Sequence, residues 1–146
     1  WKLRQMVNEL RLGHRVIFTG SVSHSEIPFY IAAATVCVAP FRDTLVTRCK
    51  SPLKIVEYMA SGKAIVASDV GEVRKMLGGA GILTPPGDFG ALADGILLVL
   101  GNEALRADLE NASRKRVEST YNWANTAQCL LNGYEKILKQ NKSRNF

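Results

Sequence analysis

The chain of 146 residues is poor in the residue types that bind metals or form disulfides, and it has no long apolar run. Cys37, Cys49 and Cys129 are scattered, so we expect neither a disulfide framework nor a zinc site. His14 and His24 have no neighbouring Cys or carboxylate cluster, and we interpret neither as a metal ligand. No stretch approaches the roughly eighteen apolar residues of a membrane span, and no secretory signal pattern begins the sequence. These absences favour a cytoplasmic protein.

The length and composition are those of one globular domain, residues 1–146, with 47% hydrophobic and 22% charged residues. The net charge of +6 suits an anionic ligand, but there is no basic stripe with interleaved aromatics, so we expect no nucleic-acid partner. The basic run Lys136, Lys139, Lys142 and Arg144 suggests either a solvated tail or peripheral contact with an anionic membrane face. Because the sequence begins at Trp1 without a methionine, we expect a fragment.

The most informative segment is SPLKIVEYMASGKAIVASDVGEV, which begins at Ser51. Ser51 is predicted to cap a helix whose first residue is Pro52. The free amides of Leu53 and Lys54 would then lie at the positive end of the helix dipole, where a phosphate binds well. Glu57 follows one turn later, and its carboxylate suits sugar hydroxyls. The simpler alternative is a solvated Lys–Glu pair worth a few tenths of a kcal/mol.

A buried strand follows this helix. Gly62 is predicted to end the helix, and residues 64–67 form an apolar run typical of a strand buried on both faces. Residues 68–71 then turn into another helix. This alternation predicts a doubly wound α/β domain, in which ligands bind beyond the carboxyl ends of the strands.

The rest of the chain has the same alternating character. The predicted strands are residues 15–19, 35–39, 64–67 and 81–83. Residues 41–50 are predicted to be an irregular site loop. The remaining helices are predicted over 2–12, 26–34 with Ser25 and Glu26 at its start, 72–77, 88–101 with an Asp88 cap, 102–120 from Asn102, and from Asn122 onwards.

The motifs SPLK, EYMASGK and VAS resemble the donor-site region of GT-B fold retaining glycosyltransferases of group 1, also called family four. RVIFTG at 15–20, GILTPP at 81–86 and the dipeptide at 122–123 extend the resemblance over almost the whole chain. The resemblance implies a Rossmann-like parallel sheet flanked by helices and lacking its first strands, that is, the C-terminal half of a GT-B fold. It places two further strands and an N-terminal acceptor domain before Trp1. We therefore expect an inactive, self-associating fragment of a nucleotide-sugar-binding domain.

The resemblance also assigns roles by position. Glu57 would accept hydrogen bonds from the ribose, and the amides of Leu53 and Lys54 would hold phosphate. Lys54 departs from the apolar residue common at its position, so its ammonium is either an extra phosphate contact or a partner of Glu57. Ser21 and Val22 correspond to the loop whose backbone meets the nucleobase.

The loop between residues 41 and 50 contains the main departure from the family pattern. A glutamate that contacts the donor sugar in the family is replaced here by Cys49, and a thiol is a poor substitute for a carboxylate acceptor. Asp43 in the same loop is a candidate replacement. Phe41 and Arg42 follow the strand that closes at Pro40, on the side where ligands bind.

The implied reaction moves a sugar from a nucleotide diphosphate sugar to an acceptor hydroxyl with retention at the anomeric carbon, and we expect neither metal nor cofactor. Two alternatives remain open. One is a GT-B relative such as a sugar nucleotide epimerase, which shares this lobe. The other is a noncatalytic nucleotide-binding or assembly module, which Cys49 and the missing front would favour.

Overall fold

The computed structural model describes residues 2–142, without the side chains of residues 141 and 142. Trp1 lies outside the described residues, and so do Arg144 and the Lys142 side chain of the predicted basic run. Within the described residues the chain forms eight helices and three strands. In order these are α1 (Lys2–Glu9), α2 (Ile27–Ala33), β1 (Val36–Ala39), α3 (Leu45–Arg48), α4 (Leu53–Ala60), β2 (Ala64–Ser68), α5 (Val73–Leu77), β3 (Ile82–Thr84), α6 (Phe89–Gly101), α7 (Glu103–Thr120) and α8 (Trp123–Lys142).

The sheet is parallel, with the strand order β1-β2-β3. All five residues of the central strand β2 are buried, as its continuous apolar sequence predicts. Ile65 and Ala67 pack in one core cluster with α4 and α5, whereas Ala64 and Val66 pack in a second cluster with α6. Helix α7 contributes to both clusters. The α/β class with helices flanking a parallel sheet is therefore confirmed.

Most of the predicted helix boundaries are confirmed by the caps that define them. The side-chain oxygens of Asp88, Asn102 and Asn122 each accept a hydrogen bond from the amide three residues later, at 2.8–3.0 Å. Gly62 follows α4 with φ of 62°, the left-handed conformation expected just after a helix.

The predicted strand at residues 15–19 is not formed. Residues 16–20 have no strand assignment, and the Ile17 side chain is 89% exposed. A strand requires a neighbour to share its hydrogen bonds, and none of the three strands in residues 2–142 pairs with this segment. The described sheet therefore has three strands, not the predicted four.

Two predicted serine caps are wrong. Pro52 is the N-cap of α4, with extended φ and ψ of −73° and 112°, so the helix begins one residue later than predicted and Ser51 is exposed beside it. Glu26 is the N-cap of α2 and makes no side-chain cap hydrogen bond, so Ser25 does not cap that helix either. The N-cap position depends on backbone angles that composition alone does not fix.

Three further helical details differ from prediction. Helix α1 ends at Glu9 because the chain turns at Arg11, whose φ is 54°. The loop predicted to be irregular contains the short helix α3. On α2, helical spacing predicts that Ile27, Tyr30 and Ile31 face inward; Ile31 is buried, but Tyr30 is 51% exposed and does not pack inward.

Apolar side chains remain exposed on several elements, including Trp123, Leu130 and Tyr134 of α8. The predicted self-association is consistent with this surface but stays a prediction. Lys136 and Lys139 of the basic run are exposed. In the part of the chain that the structure covers, no helix is both long and apolar enough to cross a membrane.

Arg116 of α7 closes the C-terminal end of α5. Its Nε donates to the Met76 carbonyl at 3.0 Å, and its Nη2 donates to the Lys75 carbonyl at 2.7 Å. These carbonyls belong to the last turn of α5, where helix carbonyls lack intrahelical partners.

Replacing Arg116 with methionine is expected to lower the free energy of unfolding by about 1.5–3 kcal/mol, the range for hydrogen bonds that involve a charged group. Methionine keeps most of the aliphatic stem. Urea denaturation measures the change. Lys115→Met is the matched control, because Lys115 is the exposed neighbour on the same helix. An equal loss in both variants would contradict the role given to Arg116.

Candidate functional site

The carboxyl edge of the sheet is held together where β1 and β2 end. The backbone amide of Phe41 donates to Oγ of the buried Ser68 at 3.0 Å. This bond joins the segment that follows β1 to the last residue of β2, so the segment leaving β1 lies beside the end of β2. Parallel α/β sheets bind ligands at this edge.

The loop after β1 is folded on itself, in contrast to the irregular loop predicted. Thr44 and Thr47 form a reciprocal capping box at the start of α3, and the Thr47 hydroxyl also donates to the Arg42 carbonyl. Arg48 donates two hydrogen bonds to the Asp43 carboxylate, at 2.5 and 2.7 Å. These bonds lower the pKa of Asp43, so the pair is lost only as the pH falls through that lowered value.

The same loop packs against Gly71 in the turn after β2. Gly71 has φ of 57°, and a Cβ placed on it would lie 2.8 Å from the carbonyl oxygens of both Thr47 and Arg48. The close approach fixes the loop over the sheet edge. A side chain at position 71 would force these backbones apart.

Gly71→Ala is expected to destabilise the fold more than Gly62→Ala. Both glycines have left-handed φ, which costs an L residue about 1–2 kcal/mol, but a Cβ on Gly62 has nothing within 4 Å. The overlap at Gly71 adds about 1–3 kcal/mol. Thermal or urea unfolding of the two variants isolates that difference. Equal losses would show that the loop does not rest on Gly71.

Helix α4 begins at this edge. With Pro52 as N-cap, Leu53 and Lys54 are its first two residues, and their amides precede the first intrahelical donor. The Lys54 ammonium lies 5.1 Å from the centroid of the Phe41 ring. In the described residues it makes this contact rather than an ion pair with Glu57. The ring therefore holds the lysine near the helix start.

A cavity of about 260 Å³ separates one face of α4 from the segment that leads into α2. Lys54, Glu57 and Tyr58 form its α4 wall, because positions three and four apart share a helix face. Val22 lies opposite, so the structure brings together three of the predicted binding residues, Val22, Lys54 and Glu57. The complete lining is Thr19, Val22, Ile27, Tyr30, Ile31, Lys54, Glu57 and Tyr58.

The other predicted residues lie elsewhere. Ser51 and the Leu53 side chain line a separate groove of about 650 Å³, between the start of α4 and the α7–α8 junction. Arg42 and Ser21 are exposed and do not line the cavity beside Glu57. Cys49 is exposed at the C-terminal end of α3.

Sequence reasoning missed two tyrosines of the cavity. Tyr58 is four residues after Lys54, so its place on the binding face could have been found from helical spacing. The pKa of Tyr58 is raised, first by burial and then by the nearby Cys37 and Glu57, so the phenol is held neutral. Tyr30 gave no such signal, because it had been placed on the inner face of its helix.

Comparisons with known proteins agree with this architecture. The family model described as glycosyl transferases group 1 matches residues 2–102. The chain is 38% identical over 85 residues to the phosphatidyl-myo-inositol mannosyltransferase of Mycobacterium leprae, a match that covers 57% of this chain and 22% of that protein.

Two solved structures share the fold. Sucrose-phosphate synthase from Thermosynechococcus elongatus superposes with a TM-score of 0.78 at 31% identity, covering 95% of this chain and 34% of that one. Anabaena HepE, solved in complex with UDP, superposes with a TM-score of 0.76 at 25% identity, covering 92% of this chain and 36% of that one.

The fold is thus that of GT-B glycosyltransferases and is consistent with the C-terminal half of that architecture. The chain belongs to the group 1 glycosyl transferase family. It spans 22% of the length of the mannosyltransferase that it matches.

Proposed function

We propose that this chain is the donor-binding lobe of a retaining glycosyltransferase that takes its sugar from a nucleotide diphosphate sugar. The observation that carries the proposal is the cavity shared by Glu57, Lys54 and Val22 at the start of α4. It combines a carboxylate that can accept from ribose hydroxyls, a cation that suits phosphate and an apolar side chain suited to a base. The N-terminus of α4, which also suits phosphate, begins one residue before Lys54.

Relatives support the ligand class. The mycobacterial relative is named as a mannosyltransferase, and Anabaena HepE was solved with UDP bound. Both names fit a donor made of a sugar and a nucleoside diphosphate. Acceptor binding belongs to sequence outside this chain under this proposal, so we expect the chain alone to bind donor weakly and to transfer nothing.

The residues at the helix start explain how the reaction would be assisted. Negative charge grows on the departing diphosphate as the glycosidic bond breaks. The amides of Leu53 and Lys54, with the Lys54 ammonium, would stabilise that charge more in the transition state than in the ground state. The Phe41 ring keeps the ammonium at this position without neutralising it.

The sugar contact is the weakest part of the assembled site. Cys49 takes the place of the family's first glutamate, and Asp43 already accepts two hydrogen bonds from Arg48. Asp43 would therefore share its oxygens between Arg48 and a sugar hydroxyl. A noncatalytic nucleotide-binding module is therefore the second candidate, favoured by Cys49.

The expected location follows from the ligand. Nucleotide sugars are used in the cytoplasm under this proposal, and contact of the basic run at Lys136 and Lys139 with an anionic membrane face would bring the protein to a membrane acceptor. We expect no metal and no cofactor in donor binding.

Saturation-transfer NMR of the chain with UDP-glucose and GDP-mannose tests the proposal. We expect strong saturation of ribose and base protons and weaker saturation of the hexose, because Glu57 contacts ribose while Cys49 offers little to the sugar. Saturation confined to the hexose would contradict the assignment. Assays of the complete gene product with acceptor extracts separate the two candidates. Release of UDP or GDP would support the catalytic one, and no release would support the noncatalytic one.

A further inference from the structure

The cavity beside Glu57 has two chemically different ends. Lys54 and Glu57 supply the charged end, on α4. The opposite end is formed by the apolar side chains of Val22 and Ile27 and by the ring of Tyr30, all on the segment that leads into α2 or on α2 itself. A nucleotide has the same division, with phosphate and ribose hydroxyls at one end and a flat base at the other.

Of the two tyrosines that line this cavity, Tyr30 has the more accessible ring. Tyr58 also lines the cavity, but its ring is half-buried and packed against the core cluster around Ile55 and Met59. Tyr30 is 51% exposed, whereas the next residue of the short helix α2, Ile31, is buried. An aromatic side chain left half-open against an apolar cavity wall is suited to stacking with a planar ring.

The turn before α2 holds this wall in place. Glu26 accepts hydrogen bonds from the Ser23 amide at 2.9 Å and the Ser23 hydroxyl at 2.6 Å. These bonds also lower the pKa of Glu26. These bonds close the turn between Val22 and the start of α2, and both Val22 and Tyr30 line the cavity.

We propose that Tyr30 is the platform on which the nucleobase of the donor stacks, a contact that contributes affinity within the proposed nucleotide site. The inference rests on the proposed function for its ligand class. Stacking on a ring tolerates different bases, since every base has a π face. Tyr30 would therefore contribute affinity for the nucleoside part as a whole, while discrimination between bases is left to groups that reach their edges.

Calorimetric titration of Tyr30→Leu with UDP, GDP and inorganic pyrophosphate tests this contact. Leucine keeps an apolar side chain of similar bulk but has no ring, so the affinity for both nucleoside diphosphates should fall roughly tenfold to hundredfold, the range for losing one stacked base. Pyrophosphate, which has no base, should bind as before. Tyr30→Phe should bind all three as the wild type does, because the ring remains.

Tyr134→Leu on α8 is the matched control, since that tyrosine is 59% exposed and does not line this cavity. Unchanged diphosphate affinity in Tyr30→Leu, or an equal loss of pyrophosphate, would overturn the stacking role. Base protons that keep their full saturation transfer in Tyr30→Leu would do the same. If the wild-type chain binds neither diphosphate, the proposed function fails and this inference fails with it. If the wild type binds them and Tyr30→Leu binds them equally well, only this inference fails.

Discussion

Replacing Glu57 with alanine is expected to weaken the binding of UDP and GDP to this chain by roughly tenfold to hundredfold. The carboxylate lines the cavity on α4, and under the proposed function it accepts hydrogen bonds from the ribose hydroxyls. A hydrogen bond to a charged group contributes about 1.5–3 kcal/mol, which sets the size of the loss. Isothermal titration calorimetry measures it.

Inorganic pyrophosphate separates the ribose role from a general effect of charge. It lacks a ribose, so Glu57→Ala should bind it as well as the wild type, or slightly better because a negative charge has been removed. Glu135→Ala, an exposed site on α8, controls for the change in net charge. Equal losses for pyrophosphate and for the nucleoside diphosphates would remove Glu57 from the ribose site.

The second large effect concerns the centre of the sheet. Ile65→Ala is expected to lower the free energy of unfolding by about 2–5 kcal/mol, because Ile65 is completely buried in β2 and its truncation leaves a cavity between the sheet and the α4 side of the core. A loss of this size is a large fraction of the stability of an ordinary domain. Urea denaturation monitored by circular dichroism gives the value.

Ile17→Ala is the matched control for that measurement. It removes the same atoms from a side chain that is 89% exposed in the segment predicted to be a strand. We expect a change within about 0.5 kcal/mol, as for other surface substitutions. A loss at Ile17 comparable with the loss at Ile65 would mean that residues 15–20 are buried in solution, for example by self-association.

The fold could be predicted from the sequence wherever a signal was local. The apolar run of β2 identified a strand buried on both faces, and Asp88, Asn102 and Asn122 identified helix starts. Each of these depends on residues only a few positions apart. The edge of the sheet where the candidate site lies could also be predicted, because the direction of parallel strands fixes which edge is the carboxyl edge.

Features that depend on distant partners could not be predicted. The segment at 15–19 has a strand-like sequence, but a strand forms only where another strand is available to pair with it. The contacts of Lys54 were equally open, because its flexible stem can reach either Glu57 or a neighbouring ring. The structure places it over Phe41, thirteen positions earlier in the sequence.

The candidate site was predictable in part for the same reason. Lys54 and Glu57 share a helix face by spacing alone, whereas their position opposite Val22 depends on how α2 packs. Ser51 was assigned a capping role that Pro52 takes instead. Tyr30 was missed because the seven residues of α2 are too few to define which face of the helix is exposed.

The central claim is that a nucleoside diphosphate binds between α4 and the segment leading into α2. The most direct test is an NMR titration of the ¹⁵N-labelled chain with UDP and with GDP, followed through the backbone amides. We predict saturable shifts at Leu53, Lys54 and Val22, with the amides of α8 beyond Thr126 unchanged. Shifts that appear for neither nucleotide, or that cluster around the Ser51 and Trp123 groove instead, would contradict it.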